Sequence, residues 1–522
     1  MDSQLVHSFV TKAFAAVLLV GPVACDSAAT SPDAAPGIGG NEAGREGGDD
    51  AAAEGGEDAG GADARATDSA VSCDAPNGNA RGKFFLMDPL PVHDLRTGDD
   101  SMRTSRTTRI VGASADGSTI VGVSRFDIAT PIPGSETGMA VFRWTQATGV
   151  VGLGYPSSLV LADPRKGGCD GATMSSDASV VFGSCVSAAG VIHYRWTAVT
   201  GFELLPIESS QPSMRATTPD GTVLVGDACC TSLDSLSAFR WSTLSGLTTI
   251  HPVPGMAQNK VASVTPAGDV IFGYSSDLQY THAFRWAPDT GIVTLPRLPG
   301  ADSCDVIRTP PPRDGSSIVG NCRQQGGSFE AYRWTTSAGI VALGAPAGYT
   351  GTYASCVSRD GSVVAGTTGA GDPAAFRWTA TTGSVVIAPA KNVIHMSDDG
   401  SVIVGNGALS PGDDRHFRWT AAGAVELLPL PSDSQSSVTW LSSDGATMAG
   451  ISYDLMTPQR PSRAVTWDAD GKAHSIADLL QAAGVDLCGT ILTDVSYGDG
   501  HLFWGQAIIP SGERRAWVAR LP

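Results

Sequence analysis

Basic residues are scarce in this chain, and charge is low altogether. Charged residues make up 16% of the 522 residues, with 34 Lys and Arg against 52 Asp and Glu. The net charge of −18 argues against a nucleic-acid-binding protein, because phosphate recognition requires a basic surface. Half of that charge lies in residues 26–72, where eleven acidic residues accompany two arginines. The acidic excess therefore describes a tail more than the rest of the chain.

Long hydrophobic runs are missing as well. The apolar run at residues 13–20, AFAAVLLV, is too short to span a bilayer. Lys12 precedes it and GPVAC follows it, so residues 1–24 have the pattern of an export signal. Cys25 resembles the acylated cysteine of a bacterial lipobox, although Pro22 stands where Leu is usual. A plain secretory signal with an incidental cysteine is the alternative.

The segment after Cys25 has almost no large apolar residues. Residues 26–72 consist mainly of Ala, Gly, Asp, Glu and Ser. Such a segment cannot bury enough surface to offset chain entropy, so it predicts a disordered acidic linker. We expect it to tether a domain spanning residues 73–522 to a lipid-anchored Cys25. The expected location is the outer membrane, the cell surface or the extracellular space.

Motifs that carry catalysis or bind metal are not found. The nine histidines are scattered, and no HExxH, CxxC or Ser/His/Asp arrangement is visible. The sequence therefore predicts no catalytic residue, no metal site and no cofactor. Whether the chain is an enzyme stays open, with a non-enzyme favoured.

What the sequence does contain is a repeat. The stretch SADGSTIVG, residues 114–122, has nine copies in which a Gly follows the first residue of the turn by six positions. The turns start at Asp116, Asp177, Asp220, Ala267, Asp314, Asp360, Asp399, Asp444 and Asp499. Asp-Gly between β-prone runs is a strong hairpin signal. The fixed Gly suggests a bulge or a close backbone approach.

A second motif follows each hairpin. It reads FRW or YRW seven times, and VTW and RAW end the series at Trp467 and Trp517. A Gly and another β-prone run usually follow, so each unit has four strands. The spacing between these tryptophans is 41 to 52 residues, which is typical of a propeller blade. We therefore predict an all-β protein, a β-propeller of about eight or nine four-stranded blades.

The ends of the array predict how the ring closes. The ninth unit supplies three strands before the chain ends, and residues 82–91, GKFFLMDPLP, resemble the missing fourth strand. We expect this N-terminal strand to complete the last blade. An open array, or a unit packed outside the ring, is the alternative. Residues 476–484, IADLLQAAG, predict a short helix between units eight and nine.

These motifs resemble those of a known family. His282-Ala283-Phe284 before Arg285-Trp286, the hairpins and the C-terminal LLQAAGVDLCGTILTDVSYGDGHLFWG are similar to the HAF repeat family of extracellular bacterial proteins. The similarity covers about residues 109–522. It implies export and a repeat fold, and it carries no established activity. Most copies here lack the His, which suggests that the slot does not require it.

The cysteines predict two disulfides. Cys169 and Cys185 flank one Asp-Gly position, and Cys304 and Cys322 flank another. Across a tight hairpin the two cysteines of each pair lie opposite each other to within about one residue of strand register. A total of ten cysteines also suits an exported protein. Metal binding is the rival, but no pair has CxxC spacing. Cys73, Cys229, Cys230, Cys356 and Cys488 are left without an assigned partner.

Two polar residue types recur in the repeat. The turn Asp recurs too often for a catalytic residue, so a structural role in the turn is expected. The Arg of FRW and YRW points away from its aromatic neighbours, towards an adjacent blade. We expect these arginines to bond turn Asp side chains or loop carbonyls between blades. They are Arg143, Arg195, Arg240, Arg285, Arg333, Arg377 and Arg418.

The loops that vary in length predict the binding face. They lie at the end opposite the Asp-Gly turns, and variable loops on a rigid scaffold often carry function. The candidate ligand-binding residues there are Tyr155, Tyr274, Tyr280, Tyr349 and Tyr453. The favoured function is a monomeric surface protein that serves as a binding or interaction scaffold for an unknown protein or glycan. The alternatives are a secreted hydrolase or lyase acting on a polysaccharide at the channel mouth, and a purely structural envelope protein.

Overall fold

The structure is a computed structural model in which most of the repeat array is described. The described residues are 83–87, 103–128, 137–157, 167–187, 190–209, 213–229, 236–277, 279–308, 314–369, 373–408, 414–457, 459–498 and 502–521. The predicted export signal, Cys25 and the acidic linker lie outside these ranges. Among the described residues, no helix combines the length and apolarity that crossing a bilayer requires.

Strand β1 (Lys83–Met87) precedes the first four blades. Blade 1 contains β2 (Arg103–Ala113), β3 (Thr119–Ile128), β4 (Thr137–Thr145) and β5 (Gly149–Gly152). Blade 2 contains β6 (Gly167–Met174), β7 (Val180–Ser187), β8 (Gly190–Thr197) and β9 (Gly201–Leu205). Blade 3 contains β10 (Ser213–Thr217), β11 (Val223–Cys229), β12 (Leu236–Ser242) and β13 (Gly246–Ile250). Blade 4 contains β14 (Gln258–Val264), β15 (Ile271–Ser276), β16 (Thr281–Ala287) and β17 (Gly291–Thr294).

The remaining blades follow the same order. Blade 5 contains β18 (Ala301–Cys304), β19 (Ser317–Gln324), β20 (Phe329–Thr335) and β21 (Gly339–Ala342). Blade 6 contains β22 (Thr352–Val357), β23 (Val363–Thr368), β24 (Ala375–Thr379) and β25 (Gly383–Val386). Blade 7 contains β26 (Asn392–Met396), β27 (Ile403–Ala408), β28 (Asp414–Thr420) and β29 (Gly423–Leu427). Blade 8 contains β30 (Gln435–Leu441), β31 (Met448–Tyr453), β32 (Arg463–Trp467) and β33 (Ala473–Ser475).

Blade 9 combines both ends of the described chain. After helix α1 (Ile476–Ala482) come β34 (Ile491–Leu492), β35 (Tyr497–Gly498), β36 (Leu502–Ile508) and β37 (Arg514–Arg520). Strand β1 pairs antiparallel with β37, with Phe85 opposite Val518. The N-terminal strand therefore completes the last blade, as the sequence predicts. The helix between units eight and nine is also confirmed, and Ser475 caps its N-terminus.

The blades form a closed ring because each buries a face against its neighbours. The described buried residues form nine apolar clusters that each join two successive blades, and a further cluster lies within blade 5. The closing cluster packs Met87 and Val518 of blade 9 against Ile120 and Phe142 of blade 1. Two-sided burial of this kind requires a neighbour on each side of every blade. The β-propeller fold is thus confirmed, with nine blades.

The Asp-Gly turns are held by a repeated set of hydrogen bonds. In the first turn the Ser114 hydroxyl donates to Asp116 Oδ1 (2.6 Å), which also accepts from the Ser118 backbone N–H (3.0 Å). The Ser114 hydrogen bond and those from Ser118 hold the pKa of Asp116 at about 2. The same pattern recurs at Asp177, Asp220, Asp360, Asp399 and Asp444. The turn Asp is accordingly used as a structural acceptor.

The repeat Gly is explained by a close backbone approach. At Gly320 a Cβ would overlap the carbonyl oxygen of Asp305 on the neighbouring strand. Equivalent glycines meet the equivalent carbonyl in the other blades, and a register shift in the first strand follows in most of them. The first two strands of a blade therefore approach so closely that only Gly fits.

Several arginines of the FRW motif reach the next blade. Arg240 Nε donates to the carbonyl of Gly268 (2.8 Å), and Arg333 Nε donates to that of Gly361 (2.8 Å). Arg377 Nε makes the equivalent bond to Gly400 at 3.3 Å. Each acceptor is the Gly of the next blade's repeat turn, which is Ala-Gly in blade 4 and Asp-Gly in blades 6 and 7, so these arginines bond one blade to the turn of its neighbour.

The other arginines of this set differ. Arg143 donates to Thr119 Oγ1 (3.0 Å) and Arg195 to Glu203 (2.8 Å), both within their own blade. The Nε atom of Arg285 is buried without a hydrogen-bond partner in the part of the chain that the structure describes. Arg418 is half-buried.

Both predicted disulfides are present. Cys169 bonds Cys185 and Cys304 bonds Cys322, and in each pair the two residues lie directly opposite on the first and second strands of a blade. Cys356 and Cys488 are disulfide-bonded as well. Disulfides of this kind fit an oxidising compartment outside the cytoplasm.

Ring closure by β1 predicts a local stability effect. Met87 is fully buried, with 0% exposure, in the closing cluster. Met87→Ala should lower the free energy of unfolding by about 2–5 kcal/mol, because it leaves a cavity between blades 9 and 1. Urea denaturation measures this change. Val385→Ala, at a side chain 50% exposed on β25, is the matched control and should change stability by less than about 0.5 kcal/mol. Equal effects of the two variants would contradict closure by β1.

A histidine between blades 7 and 8 predicts a pH effect. Burial lowers the pKa of His395 to about 4, although a hydrogen bond with the Val438 backbone opposes this shift. The folded state thus resists protonation that the unfolded chain accepts near pH 6.5. Stability from this group should be complete above pH 6.5 and fall between about pH 6.5 and 4, by at most about 3 kcal/mol. His395→Gln should remove that part of the pH dependence in denaturation curves. An unchanged slope in the variant would refute this assignment.

Candidate functional site

The first strands of the blades line the centre of the ring. First strands of successive blades contact one another, for example β6 with β10 and β22 with β26. Along β14 the side chains alternate between buried and half-buried, and Lys260 belongs to the half-buried set. These half-buried positions are therefore the ones that face the central channel.

One layer of the channel can be defined in every blade. Its residues are those whose carbonyl oxygen lies against the repeat Gly, and we call them the channel ring. They are Arg109, Asp170, Ser213, Lys260, Asp305, Tyr353, Asn392, Ser437 and Asp494. Ser213, Lys260, Tyr353, Asn392 and Ser437 lie near the beginning of their strand, whereas Asp305 and Asp494 lie after the last residue of theirs.

Asp170 is an ion-paired member of the channel ring. Arg109 Nη2 of blade 1 lies 2.9 Å from Asp170 Oδ1, and Arg125 Nη2 lies 3.7 Å from Oδ2. This pair joins the first strands of blades 1 and 2. Its carboxylate is therefore compensated by two guanidinium groups.

Asp305 occupies the equivalent position in blade 5 in a different environment. Its Oδ1 accepts a hydrogen bond from the Asn321 backbone N–H (3.1 Å). No arginine or lysine of the described residues forms an ion pair with it. Burial raises the pKa of Asp305 to about 6, so it can both release and accept a proton near neutral pH.

Two tyrosines are close enough to this carboxyl group for its charge to affect their pKa values. Burial, together with the charges of Asp305 and Tyr274, raises the pKa of Tyr353 to about 12. Burial also raises the pKa of Tyr274, and the Asp305 and Asp227 carboxylates add to that effect. Both phenols stay protonated at neutral pH and can donate hydrogen bonds. We call Asp305, Tyr274 and Tyr353 the Asp305 cluster.

A compensated carboxylate borders the Asp305 cluster. Asp227 accepts from Arg215 Nε at 2.7 Å and from the Val261 backbone N–H at 2.6 Å. It thereby links blade 3 to blade 4. Asp494, across the ring in blade 9, accepts from the Gln506 backbone N–H (2.7 Å), and burial raises its pKa.

Blades 2 and 5 share a local arrangement around their ring aspartate. In each, a disulfide-bonded cysteine precedes the aspartate, and the Tyr of YRW replaces the Phe of FRW. Tyr194 Oη donates to the carbonyl of Asp170 (3.0 Å), and Tyr332 Oη donates to that of Asp305 (2.7 Å). The backbone of both aspartates is thus fixed in the same way, and only the partners of their carboxyl groups differ.

The tyrosines predicted as ligand contacts lie in different environments. Tyr274 lies in the Asp305 cluster. Tyr155 is half-buried between blades, and its hydroxyl donates to the Met139 carbonyl (3.3 Å). Tyr280 is 37% exposed, and Tyr349 and Tyr453 are half-buried. Large parts of the variable loops lie outside the described residues.

Asp305, Asn321 and Tyr353 are not predicted from the sequence. The available signal was the coincidence of Cys-Asp with YRW, which occurs in blades 2 and 5 alone. No group of three or more His, Cys, Asp or Glu that could hold a metal ion occurs in the described ranges.

Comparisons with known proteins bear on the fold. No family model matches the chain, and no curated protein does either. The chain is similar to a prolyl endopeptidase structure at 10% identity with a TM-score of 0.39, covering 70% of this chain and 55% of that one. It is similar to dipeptidyl peptidase 4 of Porphyromonas gingivalis at 11% identity with a TM-score of 0.47, covering 83% of this chain and 67% of that one. The propeller domain of the Trilobed protease from Pyrococcus furiosus matches at 8% identity with a TM-score of 0.34, covering 63% and 99%.

These comparisons correct the expected function. We expected a binding or interaction scaffold, but the similar solved structures come from peptidases, and the hydrolase alternative is the one retained. The chain spans about half the length of the prolyl endopeptidase structure. The propeller fold follows from the strand pairing and the interfaces between blades, and at these identities and TM-scores the likeness assigns no activity or substrate to this chain. The resemblance to the HAF repeat family stays a prediction.

The contrast between the two ring aspartates predicts opposite stability effects. Asp305 has a pKa of about 6 when folded, above the unfolded value of about 3.9, so its stabilising contribution is complete below pH 3.9 and is lost as the pH rises through 6. Asp305→Asn should therefore stabilise the protein at pH 8, by at most about 3 kcal/mol, and have little effect below about pH 4. Urea denaturation across this pH range measures it.

The matched control is Asp170→Asn. It removes a partly exposed ion pair and should destabilise the protein by about 0–1 kcal/mol at pH 8. Destabilisation by Asp305→Asn at pH 8 would show that Asp305 is not held in an unfavourable charged state.

Proposed function

We propose that the chain is an exported hydrolase that cleaves a polysaccharide at the mouth of its propeller channel, with Asp305 as the proton-transferring carboxyl group. One observation carries this proposal: among the ring carboxylates, Asp305 combines a pKa of about 6 with the lack of a cationic partner in the described structure. A general acid or base works best when its pKa lies near the operating pH. Perturbed carboxyl groups in clefts are candidates for that role.

The proposed reaction requires Asp305 to give up one proton and then to take one back. Protonated Asp305 donates to the oxygen of the glycosidic bond as the bond between that oxygen and the sugar carbon breaks. Water then adds to the sugar carbon and returns a proton to the Asp305 carboxylate, so the residue ends as it began. The phenols of Tyr274 and Tyr353 stay protonated and donate hydrogen bonds to substrate hydroxyl groups.

A glycosidic substrate suits these residues better than a peptide. Peptide hydrolysis usually needs an activated nucleophile or a metal-bound water. The sequence shows no Ser/His/Asp arrangement, and the described residues contain no candidate metal group. Cleavage of a glycosidic bond canonically uses two carboxyl groups, one of which is a general acid with a raised pKa, and Asp305 fits that acid role. Peptides are therefore the second class of substrate to be tested.

Export belongs to the same proposal. The disulfides support an oxidising compartment. The N-terminal pattern supports removal of residues 1–24 and acylation of Cys25. A polysaccharide outside the cell would then be within reach of the channel mouth.

The full chain should release reducing ends from at least one member of a panel of neutral and acidic polysaccharides. Its rate should fall as the pH rises through about 6, because Asp305 must be protonated to donate to the leaving oxygen. Asp305→Asn should lower kcat by about 100-fold or more, as expected for loss of general acid–base catalysis. A reducing-sugar assay across pH measures both effects.

The control variant is Asp170→Asn, which should keep the ionisation near pH 6. Cleavage of fluorogenic peptides but not of polysaccharides would reassign the substrate class. Full activity in Asp305→Asn would overturn the proposal.

A further inference from the structure

The residue after the repeat Gly often connects its blade to the next one. Asn321 of blade 5 accepts from the Ala354 N–H of blade 6 (2.7 Å) and donates from Nδ2 to the Ala354 carbonyl (3.2 Å). Gln506 of blade 9 donates from Nε2 to the Thr108 carbonyl of blade 1 (2.9 Å). We call this position the inter-blade clamp.

In blade 5 the clamp residue, Asn321, also forms hydrogen bonds with Asp305, the proposed acid. The Asn321 backbone N–H donates to Asp305 Oδ1 (3.1 Å), and the Asp305 N–H donates to the Asn321 carbonyl (2.9 Å). Ala354, whose backbone N–H and carbonyl both bond the Asn321 amide, directly follows Tyr353 in β22. A single residue, 2% exposed, thus connects the strand of Asp305 to the strand of Tyr353.

The equivalent arrangement in blade 2 shows that the inter-blade contact of Asn321 is not a feature of every blade. Both blades have the disulfide and the tyrosine bond to the aspartate carbonyl. At the clamp position blade 2 has Ser184, whose hydroxyl bonds His193 Nδ1 within the same blade (2.8 Å). The inter-blade amide is therefore found beside the uncompensated aspartate and not beside the ion-paired one.

We infer that Asn321 is a positioning residue for Asp305: its backbone N–H fixes the carboxyl group, and its side-chain amide fixes the strand that carries Tyr353 across the contact between blades 5 and 6. An amide fills this role because it satisfies two backbone groups without bringing a charge. A cation there would compensate Asp305 as Arg109 compensates Asp170. This inference rests on the proposed function for its catalytic part, while the placement of Asp305 can be tested without any substrate.

The test compares Asn321→Ala, Asn321→Gln and the control Ser184→Ala in the full chain. Carboxyl titration by NMR with labelled aspartate, assigned with Asp305→Asn, measures the pKa of Asp305 directly. Asn321→Ala should admit water and move this pKa from about 6 towards the ordinary value of about 3.9. Asn321→Gln should keep it near 6, since Gln506 fills the clamp position in blade 9. Ser184→Ala should leave it unchanged.

The kinetic readout follows the same variants. Asn321→Ala should lower kcat by roughly 10- to 100-fold with little change in KM, and shift the ionisation seen in the pH profile. A titration and a pH profile identical to those of the unmodified chain, in an Asn321→Ala protein that keeps its circular dichroism and melting behaviour, would overturn the inference. If the unmodified chain cleaves nothing, the proposed function fails, and the NMR titration still decides whether Asn321 places Asp305.

Discussion

Burial of both faces of every blade is the constraint on which this structure depends. A four-stranded sheet that is apolar on two sides needs a neighbour on each side, and a ring satisfies all of its members at once. The apolar clusters between successive blades show this directly. The one weak point of such a ring is where the chain ends meet. Here β1 supplies the last strand of blade 9, so the closing interface contains residues from opposite ends of the described chain, such as Met87 and Trp504.

The same constraint leaves the centre free for other uses. The turns are satisfied by their own Ser and Asp side chains, and several FRW arginines satisfy the carbonyls of neighbouring turns. Close packing of the first two strands requires the repeat Gly, but it does not limit the side chain of the residue whose carbonyl lies against that Gly. The channel ring accordingly varies from Arg109 to Tyr353 while its backbone stays constant. A ring of equivalent backbone positions with unlike side chains allows one blade to carry chemistry that the others lack.

The sequence was sufficient to predict the elements that repeat. Nine Asp-Gly positions and the FRW motifs predicted the blades, the N-terminal closing strand and the two hairpin disulfides, because each depends on local turn geometry and strand register.

The Asp305 cluster could not be predicted in the same way, since Tyr274, Asp305 and Tyr353 belong to three blades and come together only once the ring is formed. Nor does sequence distinguish Asp305 from Asp170. Both follow a cysteine and precede a YRW blade motif, and the difference lies in whether Arg109 or its counterpart Lys260 forms an ion pair. The expectation of a scaffold function relied on loop tyrosines, and the structure distributes those residues between packing, channel and solvent.

Blades 2 and 5 show how a repeat protein can produce a reactive group at low structural cost. In both, a disulfide and a tyrosine hydroxyl fix the backbone of the ring aspartate, so the scaffold around the carboxyl group is already rigid. In blade 2 an arginine compensates the charge, and the aspartate contributes to the contact between blades 1 and 2. In blade 5 that compensation is missing, so burial raises the pKa of the carboxyl group to about 6 and keeps a fraction of it protonated near neutral pH. Residues that are unfavourable for stability but retained in a rigid, desolvated setting are typical of functional sites. The ion-paired Asp170, three blades away in the same fold, has a purely structural environment, and the contrast with it supports a catalytic role for Asp305.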